Sequence, residues 1–176
     1  MRKWFFIFIS LAVLAAAVYF MGRLAPSFLE ELGLRTNLKN IPISPDFNLT
    51  NLSGQAIKLS DFRERIVILG FWTSWNKHSL EQLKILNDYH KYSLAEKVTV
   101  LTVNSQEDDE SVRAIKDSED IQIEMLLDKD GEVGELYGVS VLPMTVFIDS
   151  EGREIAKIIG PISLSEIREK VAALRR

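Results

Sequence analysis

The amino-acid sequence predicts an α/β domain, a central mixed sheet with helices on both faces, preceded by one N-terminal transmembrane helix. Three observations carry that expectation. Residues 4–21 form an apolar run without a charge, held between Arg2-Lys3 and Arg23. A second run, Ile66-Val67-Ile68-Leu69-Gly70-Phe71-Trp72, reads as a buried strand and breaks at once into a polar turn and a helical pattern. Beyond it, β-branched stretches alternate with amphipathic ones to the C-terminus, the pattern of a sheet covered on both sides.

In chain order, the first 18-residue run is about 27 Å long as a helix at 1.5 Å per residue, close to the hydrocarbon thickness of a bilayer. A cleaved signal peptide is the competing reading, with Ala15-Ala16-Ala17 as its small-residue site. The apolar run continues past that site through Val18-Tyr19-Phe20-Met21, which favours an uncleaved anchor over residues 1–22. Arg2 and Lys3 place the N-terminus in the cytoplasm and the remainder outside, in the cell envelope. Residues 23–44, punctuated by Pro26, Gly33 and Pro42, read as a tether, and residues 45–176 as the domain.

Within the domain, 59–62 reads as a short turn leading into the strand at 66–72. Leu80, Leu83, Leu86 and Tyr89 recur at helical spacing, and 98–103 is a second buried strand. Asp108, Asp109 and Glu110 suit the N-terminus of a surface helix. A short strand at 125–127, a helical turn from 131 to 137, a hairpin of 145–148 with 154–159 around Ser150-Glu151-Gly152, and a helix announced by the capping box Ser163-Leu164-Ser165-Glu166 complete the chain.

Composition limits the chemistry. In 176 residues at 47% hydrophobic content there is room for one ordinary domain and a short appendage. Cysteine is absent, which excludes a disulfide, a thiolate nucleophile and a thiolate metal ligand within the chain. Beyond Met21 lie all 25 acidic residues and 19 of the 21 basic ones, a net charge of −6 that disfavours nucleic acid or an anionic lipid surface as partner of the exported part. Asp128-Lys129-Asp130-Gly131 starts like a calcium loop, but Val133 stands where that loop needs Gly and Val139 where it needs Glu, so it reads as a turn. His78 and His90, twelve residues apart on one predicted helix, cannot share a metal. No metal and no cofactor is expected.

The stretch Phe71-Trp72-Thr73-Ser74-Trp75-Asn76-Lys77-His78-Ser79-Leu80-Glu81-Gln82 resembles the active-site junction of thioredoxin-like proteins. The closest resemblance is to the membrane-anchored thiol-disulfide oxidoreductases of the TlpA/ResA type. Pro45-Asp46-Phe47, Leu52-Ser53-Gly54, Leu59-Ser60-Asp61-Phe62, Tyr137-Gly138-Val139-Ser140-Val141-Leu142-Pro143 and Val146-Phe147-Ile148-Asp149 extend it from Pro45 onward. In that family the junction carries Trp-Cys-x-x-Cys at a helix start, where the helix dipole stabilises a thiolate that attacks a disulfide and the second Cys resolves the mixed disulfide. Here Asn76 and Ser79 stand in the two Cys positions. Gln82 stands for the family's Glu, Gly70 for its Asn or Asp, and Lys84 for its helix-kinking Pro. Five positions tied to thiol chemistry have changed together while packing positions remain.

Asn and Ser are favoured helix N-caps, and Ser79-Leu80-Glu81-Gln82 fits a capping box, so the helix start is expected to be satisfied without sulfur. Leu142-Pro143 matches the family's cis proline, which with Trp75 lines a groove that pairs with extended substrate backbone. Trp75 itself reads equally as groove or as core. The sequence thus implies no catalytic residue, and a redox-inactive domain that binds a protein partner through Trp75, Asn76, Lys77, His78, Leu142 and Pro143, with residues 1–22 in the membrane. Two alternatives stand beside it: an accessory of an extracytoplasmic thiol-redox or cytochrome c maturation pathway whose sulfur chemistry another protein supplies, and a structural subunit of a membrane complex.

Overall fold

The computed structural model describes residues 41–93 and 97–175. The expected anchor at 1–22, and the expected tether as far as residue 40, lie outside the described residues. No helix among the described residues is long and apolar enough to cross a membrane.

Seven strands form one sheet: β1 (Asn48–Asn51), β2 (Ala56–Lys58), β3 (Ile66–Trp72), β4 (Val98–Ser105), β5 (Glu124–Asp128), β6 (Met144–Ile148) and β7 (Glu154–Ile159). Their order is β2-β1-β5-β4-β3-β6-β7. The three central strands β5, β4 and β3 are parallel, and β1, β6 and β7 join antiparallel, giving the expected mixed sheet. Central strands of such a sheet are covered on both faces, which is why β3 is apolar at successive positions and buried at all seven. The β1–β2 hairpin has no counterpart in the expectations: Asn51 closes its turn with the side chain, accepting from the Ser53 and Gln55 N–H groups at 2.9 Å each.

Four helices follow from the predicted patterns: α1 (Lys77–Ser93), α2 (Asp109–Ser118), α3 (Glu132–Leu136) and α4 (Leu164–Leu174). Asp108 caps α2 by accepting from the Ser111 N–H at 2.8 Å, and Ser163 and Glu166 form the expected capping box of α4. On one face of the sheet Leu83, Leu86, Val112, Ile167 and Val171 from α1, α2 and α4 pack on Ile66, Ile68, Val100 and Phe147. On the other face the short α3, the 3₁₀ turn Leu59–Phe62 and Tyr137 cover Val67, Leu69, Leu101 and Val146. Each such large apolar side chain stabilises the fold by about 1.5–3 kcal/mol on burial.

Two local features bear on the site. Gly70 lies under α1, where an added Cβ would stand 2.5 Å from Leu86 Cδ1. Without a proline at Lys84, α1 runs unbroken for 17 residues, and Lys84 instead pairs with Glu119 at 2.7 Å.

Candidate functional site

Strand β3 delivers the chain to the edge of the sheet where the parallel strands end, and residues 73–76 turn it into α1. Asn76 is the N-cap of that helix. Its Oδ1 accepts from the backbone N–H of His78 at 2.9 Å and of Ser79 at 3.2 Å, and its carbonyl accepts from the Leu80 N–H at 3.1 Å. The capping box expected at Ser79 is therefore not formed. Ser79 lies inside the first turn, completely buried, and its hydroxyl has no hydrogen-bond partner among the described residues. Gln82 does not reach back to it; its Oε1 accepts from the Ile162 N–H at 2.6 Å. The reason is positional, since a helix has one cap, and Asn76 is three residues nearer the strand.

The Asn76 side chain also reaches across the site. Its Nδ2 donates to the Leu142 carbonyl at 3.1 Å, tying the start of α1 to the segment before β6. The Leu142–Pro143 peptide is cis, as the family resemblance implied. The Pro143 carbonyl in turn accepts from the Gly160 N–H at 2.8 Å, just beyond β7. Three segments thus converge: Trp75-Asn76, Val141-Leu142-Pro143 and Ile159-Gly160. Around this junction the side chains of Trp75, Val141 and Ile159 are 75%, 54% and 60% exposed, whereas Pro143 is buried. Of the two readings left open for Trp75, the structure places it at the surface and not in the core.

The structure brings Asn76, Leu142 and Pro143 together, with Trp75 next to them. Lys77 and His78 point elsewhere: both are exposed on the outer side of the first turn and face Glu81, at 3.7 Å and 3.3 Å. His90, at the far end of α1, is partly buried, and burial together with the nearby Lys116 charge holds its imidazole below the usual histidine range.

Glu107, which sequence reasoning did not single out, fixes the loop that carries Trp75. It accepts from the Ser74 N–H at 2.7 Å and the Ser74 hydroxyl, and from Asn104 Nδ2 at 2.6 Å. The parallel register of Trp72 with Asn104 is the signal that could have found it, because residues following paired parallel strands emerge at the same edge. Ile159-Gly160 was missed for a similar reason: its proximity to Pro143 depends on the β6–β7 register, in which Ile159 pairs with Met144.

Beside the junction lies a cleft of about 380 Å³ lined by Gln106, Asp128, Asp130, Glu135, Ser140 and Leu142. Asp128 is buried, and its two carboxylate oxygens accept from the N–H groups of Val133 at 3.1 Å and Gly134 at 2.7 Å. Burial raises its pKa, an effect the two N–H donors oppose. No group of three or more His, Asp or Glu side chains that could hold a metal ion is present among the described residues.

A model of the AhpC/TSA family matches residues 43–158. The chain is 29% identical over 126 residues to the thiol-disulfide oxidoreductase ResA of Bacillus thuringiensis subsp. konkukian, covering 72% of this chain and 73% of that protein. It is 30% identical over 131 residues to the thioredoxin-like protein YneN of Bacillus subtilis, covering 73% of this chain and 76% of YneN. Its fold matches the crystal structure of the exposed lipoprotein thioredoxin Etrx1 of Streptococcus pneumoniae with a TM-score of 0.67 at 29% identity, over 74% of this chain and all of that one.

Proposed function

Because the chain belongs to the AhpC/TSA family, we propose that it is a membrane-anchored, extracytoplasmic thioredoxin-like domain that carries out no thiol-disulfide exchange and binds a protein partner through the former active-site groove. One observation carries the reading. The position of the attacking sulfur is held by Asn76, whose side chain is committed to three hydrogen bonds, and the position of the second sulfur is held by Ser79, whose hydroxyl is buried. An amide is no nucleophile, and a serine hydroxyl needs a base that this site does not set against it. What stays accessible is a surface, with Trp75 at its edge. The uncharged run at 4–21 supports an anchor, and the description of Etrx1 as an exposed lipoprotein supports a place outside the cytoplasm.

The relatives described as thiol-disulfide oxidoreductases favour one second reading, in which the bound partner itself carries a Cys-x-x-Cys pair and supplies the sulfur. Reduction of insulin by dithiothreitol in the presence of the full chain tests the first part: the rate is expected to equal the dithiothreitol background. Turnover above that background overturns the redox-inactive reading. Co-purification from membranes, followed by thiol labelling of whatever is retained, separates the two.

A further inference from the structure

The groove differs in character along its length, and that difference says what fits it. Its apolar part consists of Trp75, Val141 and Ile159, all exposed. Its backbone offers one strand-like donor: the Leu142 N–H has no hydrogen-bond partner among the described residues, whereas the Leu142 carbonyl is already taken by Asn76. Ser140 and Leu142 also line the neighbouring cleft, which they share with Asp130 and Glu135, both solvent-exposed. Asp128 is not available there, since both its oxygens are occupied by α3 N–H groups. Lys129, next to Asp130 in sequence, is turned to Asp109 at 2.6 Å, and Lys157, whose Nζ donates to the Tyr137 carbonyl at 2.7 Å, faces Glu154 at 3.3 Å. Residues 41–176 carry 16 basic and 23 acidic side chains, a net −7.

Resting on the groove reading above, we propose that the occupant is an extended, positively charged segment of another polypeptide. A backbone carbonyl of that segment accepts from the Leu142 N–H, apolar side chains lie against Trp75 and Val141, and a Lys or Arg reaches Asp130 and Glu135. Edge pairing of this kind supplies affinity through main-chain hydrogen bonds and selectivity through alternate side chains. Charge of opposite sign at the rim speeds encounter and rejects like-charged competitors.

The test uses the full chain in detergent micelles and two labelled peptides, Ser-Val-Lys-Val-Lys-Val-Ser and the same sequence with Glu for Lys, followed by fluorescence anisotropy. The lysine peptide is expected to bind and the glutamate peptide not to. The double variant Asp130→Asn, Glu135→Gln is expected to weaken binding at least tenfold. A control of equal net charge, Asp88→Asn with Glu169→Gln on the exposed sides of α1 and α4, is expected to change it less than twofold. Equal losses in the two variants mean that only net charge attracts the peptide, and overturn the proposal. Loss on Trp75→Ala without loss in the Asp130 and Glu135 variant overturns the charged occupant and leaves the groove reading standing. Failure of both peptides to bind overturns the charged occupant, and the groove reading then falls too if a photo-crosslinker at position 75 captures no protein in membranes. Self-association of the chain that is abolished by Asp130→Asn, Glu135→Gln makes a second copy the occupant, and overturns the proposal as well.

Discussion

Replacing Asn76 separates the two jobs its side chain performs. Asn76→Ala removes the N-cap of α1, which costs about 1 kcal/mol, within a range of about 0.5–2. It also removes the donor to the Leu142 carbonyl, whose net worth is about 0.5–1.5 kcal/mol. Together these predict a loss of about 1–3.5 kcal/mol, or a melting temperature lower by roughly 4–14 °C for a domain of this size. Asn76→Asp retains an acceptor for the His78 and Ser79 N–H groups and adds a negative charge at a helix N-terminus, which is favourable by about 0.3–1 kcal/mol. It still loses the donor, and sets a carboxylate against the Leu142 carbonyl. The aspartate variant should therefore melt between the parent and the alanine variant, while amide exchange at the start of β6, from Met144 on, accelerates in both. Thermal melts by circular dichroism and hydrogen exchange read these effects. An aspartate variant as unstable as alanine would refute the capping argument, and unchanged exchange in both would refute the bridge.

Trp75→Ala, at a position 75% exposed, should change stability by no more than about 0.5 kcal/mol in a urea melt while abolishing partner capture; a loss of about 3–5 kcal/mol would mean that the indole is core after all. Gly70→Ala should cost about 1–3 kcal/mol by pressing on Leu86 Cδ1, and adding Leu86→Ala should cost less than the sum of the single changes. Because the folded His90 pKa lies below its unfolded value of about 6.5, the unfolded chain binds more protons there, so stability should fall as pH drops through about 6.5; His90→Gln should flatten that slope in melts taken across the window. Asn76→Cys with Ser79→Cys should form a disulfide on oxidation but reduce insulin slowly, and Gln82→Glu should speed it, since proton-transfer help of this kind is worth about 10²–10⁴ in rate.

Most of the fold was legible because its signals are local. The apolar run of β3, the spacing of Leu83, Leu86 and Tyr89 along α1, and the capping box at Ser163 each depend on nearby residues alone. The β1–β2 hairpin was not legible, because strands of four and three residues, the second without a fully buried position, leave little periodicity to read. At the site, the motif located Asn76 and Ser79 but not which of them caps the helix. That choice is decided by where β3 ends, and a strand boundary is a tertiary property. Glu107 and Ile159 were invisible for the same reason: each reaches the site through sheet register and not through sequence proximity.

The positions that differ from the family pattern are consistent with one another once their contacts are known. Asn76 satisfies the helix start and reaches the Leu142 carbonyl, a pair of bonds that a thiol could not make together. Gly70 leaves the space that Leu86 Cδ1 occupies, so an Asn or Asp side chain there would require the Leu86 side chain to move. Lys84 continues the helix and meets Glu119, where a proline would have removed a backbone donor. Gln82 donates no proton as a neutral amide, yet its Oε1 holds the Ile162 N–H at 2.6 Å, and a glutamate would hold that N–H equally well with a buried carboxyl whose pKa burial would raise. Of these positions, Gln82 alone can revert without displacing a neighbour. Sulfur restored at 76 and 79 would therefore stand in a helix start whose cap is gone, with Gly70 and Gln82 still in place of the family's acidic or polar side chains, which is why the chemistry does not return with the cysteines alone.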